Sequence, residues 1–158
     1  MVIEVSPLVH IEIVVRDAEK AYEFLNRIFG AEKTEIEFAK FLSSGGAANV
    51  VHVRLSNVIL QFVEPLVDEG LWAEDLKKKG PGVHNLTFVV EDMKKAVMAL
   101  EKEGAKVLLE MPFDWTKLYG KYARTDVAPV HMISGEDIVG FRFELAEMPL
   151  KSSQKRGE

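Results

Sequence analysis

The sequence predicts an α+β fold made of two tandem β-α-β-β-β modules, on three observations. A stretch starting at Val9, VHIEIVVRDAEKAYEFLNRIFGAEK, is written a second time from Val83 as VHNLTFVVEDMKKAVMALEKEGAKV. In each copy an apolar, strand-like run gives way to an acidic residue, then to helical apolar spacing, then to Gly-Ala. After each copy the chain is rich in β-branched and aromatic residues broken by turn signals. The modules are expected over residues 7–66 and 82–147, with a linker at 67–81 and a flexible tail at 148–158.

The elements follow in order. In the first strand Ile11, Ile13 and Val15 form one row and His10, Glu12 and Val14 the other, because successive side chains of a strand point to opposite faces. The apolar row suits a helix, so His10 and Glu12 are expected on the face away from it. Asp17 stands where an N-cap accepts from the free amides of a first turn. The helix near 17–29 is expected to bury Ala21, Phe24, Leu25 and Ile28, and to close at Gly30, where a left-handed turn favours glycine. EKTEIEFAKFL reads as one strand, and NVVHVRL and NVILQFVEP as a hairpin around Ser56-Asn57. His52 lies in the first arm of that hairpin, its facing not fixed. LVDEGLWAEDLKKKGPG is a linker with a short helix that stops at Gly-Pro-Gly.

In the second copy Leu86, Phe88 and Val90 form the helix-facing row, which His84 continues, while Asn85, Thr87 and Val89 face the other way. Asp92 caps a helix near 92–103 that buries Met93, Ala96, Val97 and Leu100 and ends at Gly104. AKVLLEMPF, YARTDVAPVHMIS and GFRFELAE supply three further strands. In the last, Phe141, Phe143 and Leu145 pack while Arg142 and Glu144 face away. A four-stranded sheet with one helix leaves its other face bare, and two such sheets can pair into a cup with the helices outside.

Composition narrows the function. The chain has 158 residues, 47% hydrophobic and 28% charged, enough for a real core. Its formal net charge of −5 argues against a nucleic-acid surface, which needs a basic stripe. Having no cysteine, it has no disulfide, thiolate metal site or cysteine nucleophile. No apolar run reaches the roughly 18 residues of a membrane span, and no basic-then-apolar leader is seen, so no membrane partner and a cytoplasmic location are expected.

LVHIEIVVRD, ILQFVEPL, LKKKGPGVHNLTFVVEDM and GFRFELAE, in this order, resemble the vicinal oxygen chelate superfamily over roughly residues 7–147. That superfamily includes glyoxalase I, extradiol dioxygenases and bleomycin-resistance proteins, and the likeness is nearest to its methylmalonyl-CoA epimerase-like members. The resemblance implies a cupped mixed sheet, helices outside, and a divalent metal ion (Mg, Mn, Fe, Co, Ni or Zn). Its ligands would come from the first and last strand of each half: His10, Gln61, Asn85 and Glu144. Alternation leaves Gln61 undecided, and only the resemblance selects it. Asn85 shares the register of His10, since each precedes its cap by seven residues (17 − 10 and 92 − 85). The epimerase-like pattern has two adjacent histidines here; this chain has His84 followed by Asn85. Asn85 then coordinates through its amide oxygen or yields to water, which suits Mg, Mn or Fe(II). Otherwise a β-bulge turns His84 inward, or the metal is lost and a polar binding site remains.

The function implied is a metal-dependent epimerase or isomerase, moving a proton through a metal-stabilised enolate on a small oxygen-rich acid or acyl thioester. The alternatives are a glyoxalase I-like lyase and a metal-free small-molecule binding protein of the bleomycin-resistance type. An extradiol dioxygenase needs two histidines and a carboxylate, which Asn85 opposes. Glu144, alternating between ligand and base, and Glu12 are the candidate proton-transfer groups. The glutamate that some epimerases carry on the third strand has no counterpart in GGAANVVHVRL. The aromatic and basic segment MPFDWTKLYGKYARTDVAPVHMIS departs from the family; Trp115, Tyr119, Tyr122, Arg124 and His131 are its candidate substrate-binding residues. A homodimer is expected from the resemblance.

Overall fold

The structure, a computed structural model, describes residues 2–35, 46–111 and 130–147. Its strands and helices bear out the α+β class and run in the expected double β-α-β-β-β order. The first pass is β1 (His10–Val14), α1 (Ala18–Phe29), β2 (Glu32–Lys33), β3 (Ala48–Leu55) and β4 (Val58–Pro65). After α2 (Leu71–Lys79) the second is β5 (Gly82–Val90), α3 (Met93–Lys102), β6 (Val107–Met111), β7 (Val130–Ile133) and β8 (Arg142–Glu147). A short helix the sequence did not announce, α4 (Glu136–Val139), sits between the last two strands. The chain divides into a first unit, His10–Asn85, and a second made of Met1–Val9 and Leu86–Glu158, so that β5 crosses the boundary. Among the described residues no helix is long and apolar enough to cross a membrane.

In the first unit the strand order is β2-β3-β4-β1. β1 runs parallel to β4, and β4 antiparallel to β3 through the two-residue turn Ser56-Asn57, where Ser56 takes φ 56°. Asp17 caps α1 as expected, accepting from the Lys20 amide at 2.9 Å, and Gly30 ends it at φ 66°. The helix lays Ala18, Ala21, Tyr22 and Leu25 on Ile13, Val15, Val51, Val53, Leu60 and Phe62. The expected stripe is therefore rotated. Ala21 and Leu25 pack, but Phe24 and Ile28 are more than half exposed, at 53% and 56%, and Tyr22 takes the inward place. Of EKTEIEFAKFL only Glu32–Lys33 pairs as strand among the described residues, and residues 36–45 lie outside them.

The second unit orders its strands β5-β8-β7-β6. Residues ahead of β1 belong here: Val5 bridges to Val90, and the Val9 amide donates to the Thr87 carbonyl at 2.9 Å. Asp92 caps α3 through the Lys95 amide at 2.9 Å. Met93 and Ala96, with Val97 and Leu100, pack on Val90, Ile133 and Leu145, as the helical spacing predicted.

A second capping contact reveals the duplication. Glu64 Oε2 accepts from the Ala18 amide of α1 at 3.2 Å, and Glu147 Oε2 from the Met93 amide of α3 at 2.7 Å. Each carboxylate meets the positive end of its own unit's helix. Glu64 follows Gln61 by three residues and Glu147 follows Glu144 by three (64 − 61 and 147 − 144). Gln61 and Glu144 are thus equivalent positions in the two units.

Ahead of β8, Gly135 is crowded. A Cβ there would lie 2.8 Å from the Phe141 carbonyl oxygen and 2.8 Å from the Phe143 ring. Because one of those neighbours is backbone, Gly135→Ala is expected to cost about 1–3 kcal/mol of stability, the range for overpacking. A urea unfolding curve with an unchanged midpoint would show that the loop yields freely.

Candidate functional site

The pairing of β1, β4 and β3 sets one polar row across the first unit. Glu12 pairs with Gln61, and Gln61 with His52. The neighbours of these residues along each strand, Ile13, Leu60, Phe62, Val51 and Val53, face α1, so the row lies on the opposite side. His10, two residues from Glu12, shares that side. His10, Glu12 and Gln61 are buried, at 1%, 2% and 8% exposure.

Gln61 Nε2 lies 2.8 Å from His52 Nε2. An amide nitrogen only donates, so His52 Nε2 accepts and its hydrogen sits on Nδ1. Gln61 Oε1 is buried with no hydrogen-bond partner. The His10 and His52 rings stand edge to face, centroids 6.3 Å apart. Burial lowers the His10 pKa from its ordinary 6.5 to about 4; Glu12 opposes the shift, His52 reinforces it, and the neighbouring Gln61 side chain opposes it. Burial also lowers His52, against the pull of Glu12. Both imidazoles are therefore neutral at pH 7, the form in which histidine binds a metal ion.

This chemistry yields an acid-stability prediction for the chelator-treated protein. The unfolded chain takes up a proton at His10 below pH 6.5, whereas the folded protein does so only near pH 4. Stability is thus full above pH 6.5, falls as the pH drops towards 4, and levels off below. Its share is on the order of 3 kcal/mol. Urea midpoints at pH 7 and pH 4.5 should differ less in His10→Gln than in the parent; equal differences would remove His10 from the account.

On the other flank of Glu12 a second set of groups converges on one atom. Glu12 Oε1 accepts from the Trp72 indole N–H at 2.7 Å and from Asn85 Nδ2 at 2.9 Å. His84 Nδ1 lies 2.8 Å from the same oxygen, and His84 Nε2 lies 3.8 Å from Asp75 Oδ2. His84, expected to continue the helix-facing row, is buried at 2% exposure beside Glu12. Asn85, the expected metal ligand, directs its amide nitrogen at Glu12.

Of the expected ligands, the first unit brings together His10 and Gln61, with Asn85 joined to them through Glu12. A neutral imidazole and a buried, unpartnered carboxamide oxygen fit a divalent ion that accepts nitrogen and oxygen donors. Among the described residues no three His, Cys, Asp or Glu side chains form a metal-holding group, and carboxamides are the other donors present. In the second unit Glu144 is buried, and its Oε1 accepts from Thr87 Oγ1 at 3.1 Å. His131 pairs across strands with Leu145, on the face that packs against α3, while Met132 pairs with Glu144. His131 does not share the face of Glu144, and its Nε2 lies 3.4 Å from Glu110 Oε1. Trp115, Tyr119, Tyr122 and Arg124 lie outside the described residues.

Sequence reasoning left His52, Trp72 and Asp75 out of the site. His52 had a usable signal: a turn at Ser56-Asn57 pairs Leu55 with Val58, and counting back along that hairpin pairs His52 with Gln61. Trp72 and Asp75 had none, because the placing of a linker helix is a tertiary fact.

Comparison with known proteins places these residues in context. The sequence profile of the Glyoxalase/Bleomycin resistance protein/Dioxygenase superfamily matches residues 9–118. Human mitochondrial methylmalonyl-CoA epimerase is 36% identical over 102 residues, 64% of this chain and 56% of the human protein. The chain thus spans about half the length of the curated relatives it matches. Two solved structures share the fold. Methylmalonyl-CoA epimerase from Mycobacterium tuberculosis superposes with a TM-score of 0.65 at 21% identity, covering 95% of this chain and 93% of that one. A variant of the Streptomyces coelicolor epimerase, in complex with 2-nitronate-propionyl-CoA, gives a TM-score of 0.63 at 21% identity, with 89% and 96% covered.

Proposed function

The chain belongs to the Glyoxalase/Bleomycin resistance protein/Dioxygenase superfamily, and on that premise we propose that it is a metal-dependent epimerase acting on an acyl thioester such as methylmalonyl-CoA. The observation that carries this reading is the row on β1, β4 and β3: neutral His10 beside Gln61, whose oxygen is buried without a partner, and the Glu12 carboxylate two residues away. His10 and Gln61 would hold a divalent ion, with Asn85 of the same unit as a further candidate ligand. Bound there, the ion would supply positive charge to the thioester oxygen as the adjacent C–H becomes acidic.

The remaining roles fall to the protein's own groups. Glu12 takes the proton from the carbon next to the carbonyl on one face, and a proton delivered to the opposite face by a second acid inverts the centre. Burial of Glu12 keeps bulk water from competing for that proton. Gln61 holds His52 as a neutral acceptor, so no imidazolium stands beside the base to neutralise it. Methylmalonyl-CoA comes from the named relatives and from the thioester complex of a structural neighbour.

The test is incubation with methylmalonyl-CoA in deuterium oxide, before and after chelation. Deuterium entering at C2 with interconversion of the two C2 epimers, abolished by chelator and restored by a divalent ion, is the expected result. Binding of the thioester without exchange would point instead to the binding-protein alternative.

A further inference from the structure

We infer that helix α2 is a positioning element for the base, with Trp72 the residue that sets which oxygen of Glu12 reacts. The inference rests on the proton-transfer reading above and adds to it the residues that orient the base. Glu12 sits on a rigid strand and is buried at 2% exposure. Two donors from two other segments meet on one of its two oxygens, Trp72 Nε1 at 2.7 Å and Asn85 Nδ2 at 2.9 Å, and His84 Nδ1 lies 2.8 Å from the same atom. Among the described residues Oε2 accepts no hydrogen bond.

This asymmetry has a chemical consequence. A carboxylate free to rotate about its last bond presents either oxygen in many orientations. The two hydrogen bonds on Oε1, with His84 packed against it, remove that freedom and leave Oε2 as the atom that can take a proton from carbon. The transfer is balanced within the pair of groups: the C–H bond breaks, its electron pair stays on the substrate, and an O–H bond forms at Oε2. If Oε2 returns the proton, its O–H bond breaks and the C–H bond re-forms on the same face; inversion takes a proton from a second acid on the other face, whose own bond to hydrogen breaks. Trp72 is suited to the task because an indole N–H only donates and cannot take the proton itself. It reaches Glu12 from α2, a helix whose other contacts include an ion pair between Lys77 and Asp68 near its start.

The chain has two tryptophans, so the wild type should show two indole N–H signals in a proton–nitrogen correlation spectrum. Trp72→Phe removes one and so identifies it, and Glu12→Gln is expected to shift that signal, since the charged acceptor is lost. With methylmalonyl-CoA as the probe, Trp72→Phe should lower kcat for deuterium exchange about tenfold with KM little changed, the effect of losing one hydrogen bond to a charged group. A Trp72 signal that does not move in Glu12→Gln would overturn the inference, and that result does not depend on whether Trp72→Phe folds well. Wild-type exchange with an unaltered kcat in folded Trp72→Phe would overturn it too, leaving the epimerase reading standing. A wild type that exchanges nothing would sink the epimerase reading and this inference together.

Discussion

Glu12→Gln is expected to cut deuterium exchange at C2 of methylmalonyl-CoA by roughly 10²–10⁴-fold, the contribution of a positioned general base. The amide keeps the shape of the side chain, and its oxygen can still accept from Trp72 and Asn85. What is lost is a basic oxygen at the second position. The buried surroundings supply no ready replacement, because burial lowers the pKa of His10 and His52 and makes both poor proton acceptors. Divalent metal content should survive, because Glu12 is not among the proposed ligands. Stopped exchange with metal retained therefore assigns Glu12 to proton transfer. Equal loss of metal and exchange would reassign it to ion binding.

His10→Ala is the second large effect. It removes the only imidazole among the proposed ligands and leaves a cavity beside Gln61 and His52. Metal affinity should fall by more than the about 10–100-fold that follows loss of an outer-shell partner, and exchange should fall with it. Gln61→Ala should act in the same direction and also free His52 from its donor. Metal analysis after dialysis against a weak chelator checks both. Full occupancy in His10→Ala would move the ion elsewhere.

How far these residues were legible from sequence differs by kind. Local chemistry could be read well. Asp17 and Asp92 cap because a short carboxylate before a helical run finds free amides, and Ser56-Asn57 turns because it separates two alternating strands. Strand alternation put His10 and Glu12 on one face correctly, since side chains of a strand alternate without exception in a run as short as β1. The rotated stripe of α1 was not legible. Phe24 and Tyr22 fit a helical repeat equally, and the sheet beneath chose Tyr22. Helix α4 escaped because GEDIV carries almost no periodic signal; it is held by Gly135 and by the Arg142 pair with Glu136. His84 was open between two placings, the helix-facing row or inward through a β-bulge. Its row was inferred from Leu86 and Phe88, but at the start of β5 the ring turns to Glu12 and Asp75, partners that no local pattern announces. The convergence of Trp72, His84 and Asn85 on one oxygen joins segments sixty or more positions apart, for example Trp72 to Glu12 (72 − 12).

Anomalous diffraction from crystals grown with cobalt or manganese tests the central claim most directly. We predict one strong peak within bonding distance of a His10 ring nitrogen and Gln61 Oε1. A peak at other residues, with His10 and Gln61 bound only to each other and to His52, would contradict it.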